Sequence, residues 1–361
     1  MKSKILAGIF IILSMGAFAE EEKMNELLEL EKNALAASGH PLNETTQHKN
    51  PNYAPEYFAE YQDNLFCKMS DKHKMQYENG GGRELSDKNG SPAHMKSVLS
   101  SSAMTFNLLG NGEIPAKEGN EYFVPGTYKI EYEKKLLTLK KSSRPAHLDA
   151  FLWDKGYNAI FCEMKMTEWM KIRVKNDLLS SSYFDDRRYY FNMKNDNVAL
   201  SAFKKLRDSL CENMIKGAQK KGYNPHRFTH YDAWQMYKHI LGIYNMRSDL
   251  TKEEIKLPKN GISEFLPELE KVVLANVIFE PPVDAFSDEN VRKEYTELQK
   301  SEHGEFDIFK HCVEESGVIE AFKKDCGIEF SVELLTAAQF MDCFDISDNH
   351  KKYLQRYRLD K

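Results

Sequence analysis

His147-Leu148-Asp149-Ala150-Phe151-Leu152-Trp153, followed by Asn158-Ala159-Ile160-Phe161-Cys162-Glu163-Met164-Lys165-Met166, is the stretch that decides this fold. Both segments are short apolar runs, and Asp154-Lys155-Gly156 between them is a turn-forming cluster, so the pair predicts a β-hairpin. Side chains alternate along a strand, which puts Glu163 and Lys165 on one face and Cys162 and Met164 on the other. Asp149 can join Glu163 and Lys165 from the neighbouring strand. Two carboxylates and an ammonium then converge where the apolar neighbours predict a core. Two carboxylates in that setting invite a hard divalent cation with oxygen ligands, while the lysine can offset charge or help activate water.

Spacing alone does not single out this site. Glu21/Lys23, Glu133/Lys135 and Glu254/Lys256 repeat the Glu-x-Lys pattern. Only Glu163/Lys165 combines it with an apolar strand and an upstream strand aspartate. The plain alternative is an exposed edge-strand ion pair, worth ~0–1 kcal/mol and no chemistry. Glu133 can add a carboxylate from the preceding strand, and the period of two puts Glu131 on its face. Both can equally be solvated positions.

The helix expected from Tyr231 to Asn245 carries Trp234, Tyr237, Ile240, Leu241 and Tyr244 as its apolar stripe, with Thr229-x-x-Asp232 as a capping box. Gln235, Lys238 and His239 then face away from that stripe.

An aspartate on one strand and Glu-x-Lys on the next resembles the PD-(D/E)xK nuclease superfamily, the restriction-endonuclease-like fold. Ser100-Ser101-Ser102-Ala103-Met104-Thr105-Phe106-Asn107 resembles the opening helix of one restriction-endonuclease family within it. Tyr132-Glu133-Lys134-Lys135-Leu136 is similar to that family's first core strand, and Glu163-Met164-Lys165-Met166-Thr167-Glu168 to its catalytic strand. Trp234-Gln235-Met236-Tyr237-Lys238-His239 is similar to its glutamine-bearing helix, and Tyr353-Leu354-Gln355-Arg356-Tyr357 to its terminus. The likeness runs from Met95 to Tyr357 by order and spacing of elements. Leu148 departs from it, standing where the superfamily's name has proline.

The resemblance implies an α/β domain with a mixed central β-sheet flanked by helices and a helical C-terminal part. It also implies a metal-dependent endonuclease acting on DNA, with RNA as the other candidate polymer. Asp149 and Glu163 would hold Mg2+ or Mn2+, with the backbone carbonyl of Cys162 as a further ligand. Lys165 would orient or deprotonate the attacking water, and Glu133 would complete the carboxylate set. Lys171, Arg173, Lys204, Lys205, Arg207, Gln235 and Lys238 are the candidate nucleic-acid contacts. A homodimer would suit the cutting of both strands of a duplex. The alternatives are a nucleic-acid-binding module without turnover and an exported interaction protein.

A net charge of −5 over 361 residues does not advertise nucleic acid, but a phosphate backbone needs only a local positive groove. Lys204, Lys205, Arg207, Lys216, Lys220, Lys221, His226 and Arg227 form one basic stretch, and Lys171, Arg173 and Lys175 follow the expected catalytic strand. His226 and His230 have the spacing of a helical zinc pair but lack the accompanying glutamate. Lys2 and Lys4, the apolar run Ile5–Met15 and Ala17-Phe18-Ala19 have the parts of a secretory signal cleaved after Ala19. Export, to a periplasm or outside the cell, is the expectation, with a cytoplasmic protein starting at Met24 as the alternative. The six cysteines are widely spaced, and only Cys312, Cys326 and Cys343 suggest a bridge.

The expected organisation is a leader over 1–19, an N-terminal helical extension and loop over 20–93, and a nuclease-like domain over 94–361. Met24–Ala37 should be helical, Ser38–Asn52 a linker, Tyr53–Phe66 a helix and Glu78–Pro92 a mobile glycine-bearing loop. A helix from Met95, a strand Val272–Phe279 and a helical Glu294–Lys361 complete the reading. Asp177–Asn197, where aromatics interleave with arginines, reads as an insertion.

Overall fold

A computed structural model describes residues 21–140, 145–171, 180–190, 197–215, 228–246 and 269–359. The leader, Arg173, Lys175, His226 and Arg227 lie outside them, as do Lys216, Lys220 and Lys221.

The expected hairpin is the centre of one six-stranded mixed sheet. Its strands are β1 (Glu113–Ala116), β2 (Gly126–Leu136), β3 (Ala146–Trp153), β4 (Asn158–Lys165), β5 (Lys271–Ile278) and β6 (Glu329–Thr336), in that spatial order. The first four are antiparallel neighbours, whereas β4–β5 and β5–β6 are parallel. The buried middle of β5 is Val-Val-Leu-Ala-Asn-Val-Ile, the near-continuous apolar run of a strand covered on both faces.

Helices cover both faces. On one side lie a helix over residues 21–37 (α1), α2 (Asp71–Glu78), α3 (Ser101–Leu109) and the C-terminal turns, around Leu27, Phe106, Ile130, Met164 and Tyr357. On the other lie α4 (Asn197–Ile215), α5 (Ala233–Asn245), α6 (Glu289–Ser316) and α7 (Val318–Cys326), around Phe161, Phe203, Tyr237, Leu274 and Phe309. A Cβ on Gly242 would stand 2.5 Å from the Leu136 Cβ, so this glycine lets α5 settle directly onto β2.

The sequence expectation of a mixed sheet with flanking helices holds, with local corrections. Tyr53–Phe66 is turns and a short 3-10 helix at Tyr61–Asn64. The helix expected from Met95 starts at Ser101, where the Ser100 hydroxyl accepts from the Ala103 N–H. Within the helical C-terminal stretch, Glu329–Thr336 is a strand paired in parallel with β5, with Phe330 and Val332 in the core on one face and Leu335 in the core on the other. None of the six cysteines forms a disulfide. Cys312 lies in the core on one side of the sheet and Cys343 in the core on the other, which keeps these two apart.

The N-terminal segment shares the main core through Leu27, Leu35 and Phe58. Arg356, fully buried, ties it down by donating to Glu31 Oε2, Asn64 Oδ1, the Tyr353 hydroxyl and the Val98 carbonyl.

Candidate active site

The site begins where regular pairing ends. The β3–β4 ladder runs from Trp153↔Ala159 to Ala150↔Cys162 and stops. Just beyond, the Met164 N–H donates to Asp149 Oδ2 at 2.6 Å, so a side chain replaces the next ladder bond. The same level of β2 is irregular. Glu133 has φ of 53°, a left-handed conformation that a non-glycine residue in a strand rarely adopts. Side-chain alternation breaks there. Tyr128, Ile130 and Tyr132 face the α1–α3 core, while Leu136 faces the α5 core. The Lys134 ammonium lies over the Phe151 ring on that second side and bonds Glu131 Oε2 at 2.8 Å. Glu131 is therefore committed to Lys134 and does not share the Glu133 face, contrary to the period-two expectation.

Glu163 and Lys165 share a face as expected, and Cys162 and Met164 are buried on the other. Lys165 Nζ donates to Glu163 Oε1 at 2.5 Å and to Gln235 Oε1 at 3.0 Å. Gln235 Nε2 donates to the same Glu163 oxygen at 2.7 Å. His239 Nε2 lies 2.9 Å from Glu163 Oε2. The buried Cys162 side chain leaves only its backbone carbonyl available as a ligand.

The electrostatics follow from this geometry. Burial alone would raise the Glu163 carboxyl, but the Lys165 ammonium and the His239 hydrogen bond reverse that and hold it at about 2. Burial opposes the Lys165 charge, and Glu163 then Asp149 more than restore it, keeping the ammonium protonated. Asp149 is pushed well above the usual carboxylate range by burial and by the Glu163 charge, with Lys165 acting against both. Burial also raises Glu133, with His147 lowering it and the Glu84 and Glu163 charges adding to the rise.

Sequence reasoning undervalued α5. The helix is buried almost all round, so its polar residues turn inward rather than to water. His239 is sealed off beside Glu163, and Gln235 is half-buried on the Glu163–Lys165 pair. The signal was present in the sequence as Gln235 and His239 one helical turn apart, stacked on one face. The cap differs as well. Asp232 caps α5 through the Gln235 N–H, while Thr229 instead bonds Glu305. His230 Nδ1 meets the Trp169 carbonyl at 2.8 Å, which occupies that nitrogen.

The basic candidates are placed differently. Lys204 pairs with Asp186, Lys205 with the Glu315 carbonyl, and Arg207 is buried against Asp208 and the Tyr183 carbonyl. These contacts pin α4 to its neighbours and do not join the carboxylates. Lys238 is half-buried on α5. Lys171 is exposed and lines a cavity of about 450 Å³ together with Glu84, Ser101, Ser102 and Glu168.

Among the described residues, no three His, Cys, Asp or Glu side chains gather into a ready-made metal cage. Asp149 and Glu163 can still serve a magnesium-like ion, which commonly takes one or two carboxylates and fills its shell with water and substrate phosphate. The crowding that raises Asp149 is excess negative charge that such a cation would offset. The donor set fits.

Residues 32–257, well over half of the chain, match one family, described as Restriction Endonuclease associating with ARP. The chain belongs to that family. The restriction-endonuclease match spans β1 to β4 and α5, and so takes in Glu133, Asp149, Glu163, Lys165, Gln235 and His239. Membership in this restriction-endonuclease family suggests a nuclease and implies DNA binding. No curated protein and no solved structure matches the chain.

Proposed function

We propose that this protein is a metal-dependent endonuclease that hydrolyses phosphodiester bonds in DNA. One observation carries the reading: Lys165 is clamped between Glu163 and Gln235 at the level where Asp149 interrupts the β3–β4 ladder. A surface ion pair would need none of this. Here Glu163 is 2% exposed and accepts from three side chains.

Asp149, Glu163 and the Cys162 carbonyl would hold Mg2+ or Mn2+. The bound cation supplies Lewis-acid polarisation of the phosphoryl group and a more acidic water. Lys165, held charged by its two carboxylate neighbours, serves as an electrostatic and orienting group rather than as the base. Its Nζ donates towards developing negative charge from a low-dielectric setting, where such a donor acts most strongly. Gln235 and His239 orient Glu163. Glu133 adds negative charge next to Asp149 and thereby strengthens cation binding.

The test is cleavage of supercoiled plasmid by the full chain in Mg2+ or Mn2+, with EDTA, Asp149→Ala and Lys165→Ala as controls. Cutting that disappears in all three supports the assignment. Metal-dependent cutting retained by Asp149→Ala overturns it. Salt-sensitive DNA binding without cutting in either metal would favour a binding module instead.

A further inference from the structure

The Gly80-Gly81-Gly82 run belongs to the α2–α3 connection and would conventionally be taken as a flexible turn. Its surroundings say otherwise. A Cβ built on Gly80 would stand 2.5 Å from Glu133 Oε2. One on Gly81 would stand 2.9 Å from His147 Cε1, and one on Gly82 would stand 2.0 Å from Glu84 Oε1. Three successive glycines thus each abut the end of a different acid or imidazole side chain.

Those side chains form one tier beside the carboxylate pair. Glu133 lies opposite Asp149 across the β2–β3 ladder, between the partners Tyr132↔Ala150 and Lys134↔Leu148. His147 lies two residues before Asp149, with Nδ1 3.8 Å from Glu133 Oε2. Glu84 accepts from the Ser102 hydroxyl at 2.5 Å and lies 3.4 Å from His94 Nδ1. The turn is also anchored at its N-terminal side. The Gly80 N–H donates to the Tyr77 carbonyl, Lys135 Nζ donates to the Asn79 carbonyl, and the Tyr132 N–H donates to Gln76 Oε1. The left-handed φ at Glu133 stores strain at the same spot, as backbones do where a side chain must be aimed.

The geometry points to the Gly80–Gly82 turn as a positioning element of the nuclease site, which seats Glu133 against Asp149 and Glu163. This inference rests on the proposed function for its catalytic readout, but not for its structural one. Alanine at Gly80 meets the Glu133 side chain from Cγ to Oε2, not backbone. The fold absorbs the new methyl group by moving the Glu133 carboxylate. Stability should therefore change little while the site is disturbed.

The experiment is a double-mutant cycle on the full chain with Gly80→Ala and Glu133→Ala, using Gly304→Ala as control, since a Cβ there meets nothing within 4 Å. Gly80→Ala should lower kcat for plasmid cleavage at least ten-fold, with KM within about three-fold and Tm within a few degrees. In the Glu133→Ala background the same change should cost nothing further, because the two residues act as one unit. A crystal structure of Gly80→Ala should show the Glu133 carboxylate displaced. Additive kinetic losses, full activity of Gly80→Ala, or an undisplaced carboxylate would each overturn the inference. If the wild-type protein cuts no DNA, the nuclease reading fails and the seating is decided by the carboxylate position alone.

Discussion

His239 Nε2 lies 2.9 Å from Glu163 Oε2, and both side chains are closed off from water. A carboxylate only accepts, so the imidazole donates through Nε2 and its Nδ1 is left buried without a partner among the described residues. Leaving a polar nitrogen unsatisfied costs stability, which argues that aiming Glu163 is what this histidine contributes. His239→Ala should reduce metal affinity or kcat by about 10–100-fold, the usual effect of removing a hydrogen-bond partner behind a ligand. Isothermal titration with Mn2+ and plasmid-cleavage kinetics would measure this. Unchanged affinity and rate would show that Gln235 and Lys165 suffice to hold Glu163.

The two carboxylates should respond to pH in opposite senses. Asp149 is raised in the fold, so its contribution is full below its unfolded value and is lost as pH rises through the folded one. Glu163 is depressed to about 2, so its contribution is present above the ordinary value near 4.5 and is lost as pH falls through about 2. Asp149→Asn should therefore raise the Tm of the metal-free protein at neutral pH while abolishing cleavage. Metal should stabilise the wild type and leave the variant unmoved. Thermal scans from pH 4 to 9, with and without Mn2+, would test the sign. A variant less stable than wild type at pH 8 without metal would refute the crowding argument.

Asp149, Glu163 and Lys165 were legible because two apolar runs flanked a turn, and strand alternation then fixed their faces. Glu131 was misplaced for a definite reason. Alternation assumes regular backbone, and the left-handed φ at Glu133 breaks it where β2 passes the site. His239 was hidden because a polar residue opposite an apolar stripe reads as solvent-facing, whereas α5 is packed almost all round. β6 was absorbed into a helical stretch because its Glu329, Glu333 and Thr336 are as polar as a surface helix. The glycine turn carried no signal by composition. Its meaning lies in what each missing Cβ makes room for.

Glu31 and Arg356 form a buried pair that links α1 to the chain's C-terminal turns. Glu31 is raised to about 7, chiefly by burial, with Arg356 acting against that rise. Its contribution is thus full below about 4.5 and declines as pH rises through about 7. Arg356→Ala should destabilise the protein by about 3–5 kcal/mol, since it leaves a buried carboxyl and several acceptors unpaired. Replacing both residues with apolar ones of similar volume should cost far less. Urea unfolding of the single and double variants would measure both effects. Early proteolytic release of residues 21–37 in Arg356→Ala would show that the pair holds α1 in place.

Glu305 on α6 accepts the backbone N–H groups of Thr229, His230 and Tyr231, together with the Thr229 hydroxyl. These bonds fix the segment that leads into α5, and so set where Gln235 and His239 meet Glu163. Bonds to a charged acceptor contribute about 1.5–3 kcal/mol each, and losing several together loosens the segment. Glu305→Ala should lower kcat several-fold with little change in KM for DNA, because the bonds lost are those to the backbone leading into α5. Raising the Mn2+ concentration should restore part of the loss, since a poorly aimed Glu163 weakens the cation site without removing it. Glu305→Gln keeps one acceptor oxygen and should fall between the variant and the wild type. Steady-state kinetics across a metal titration would check the order. A KM defect that metal cannot rescue would mean that Glu305 supports DNA binding rather than the alignment of α5.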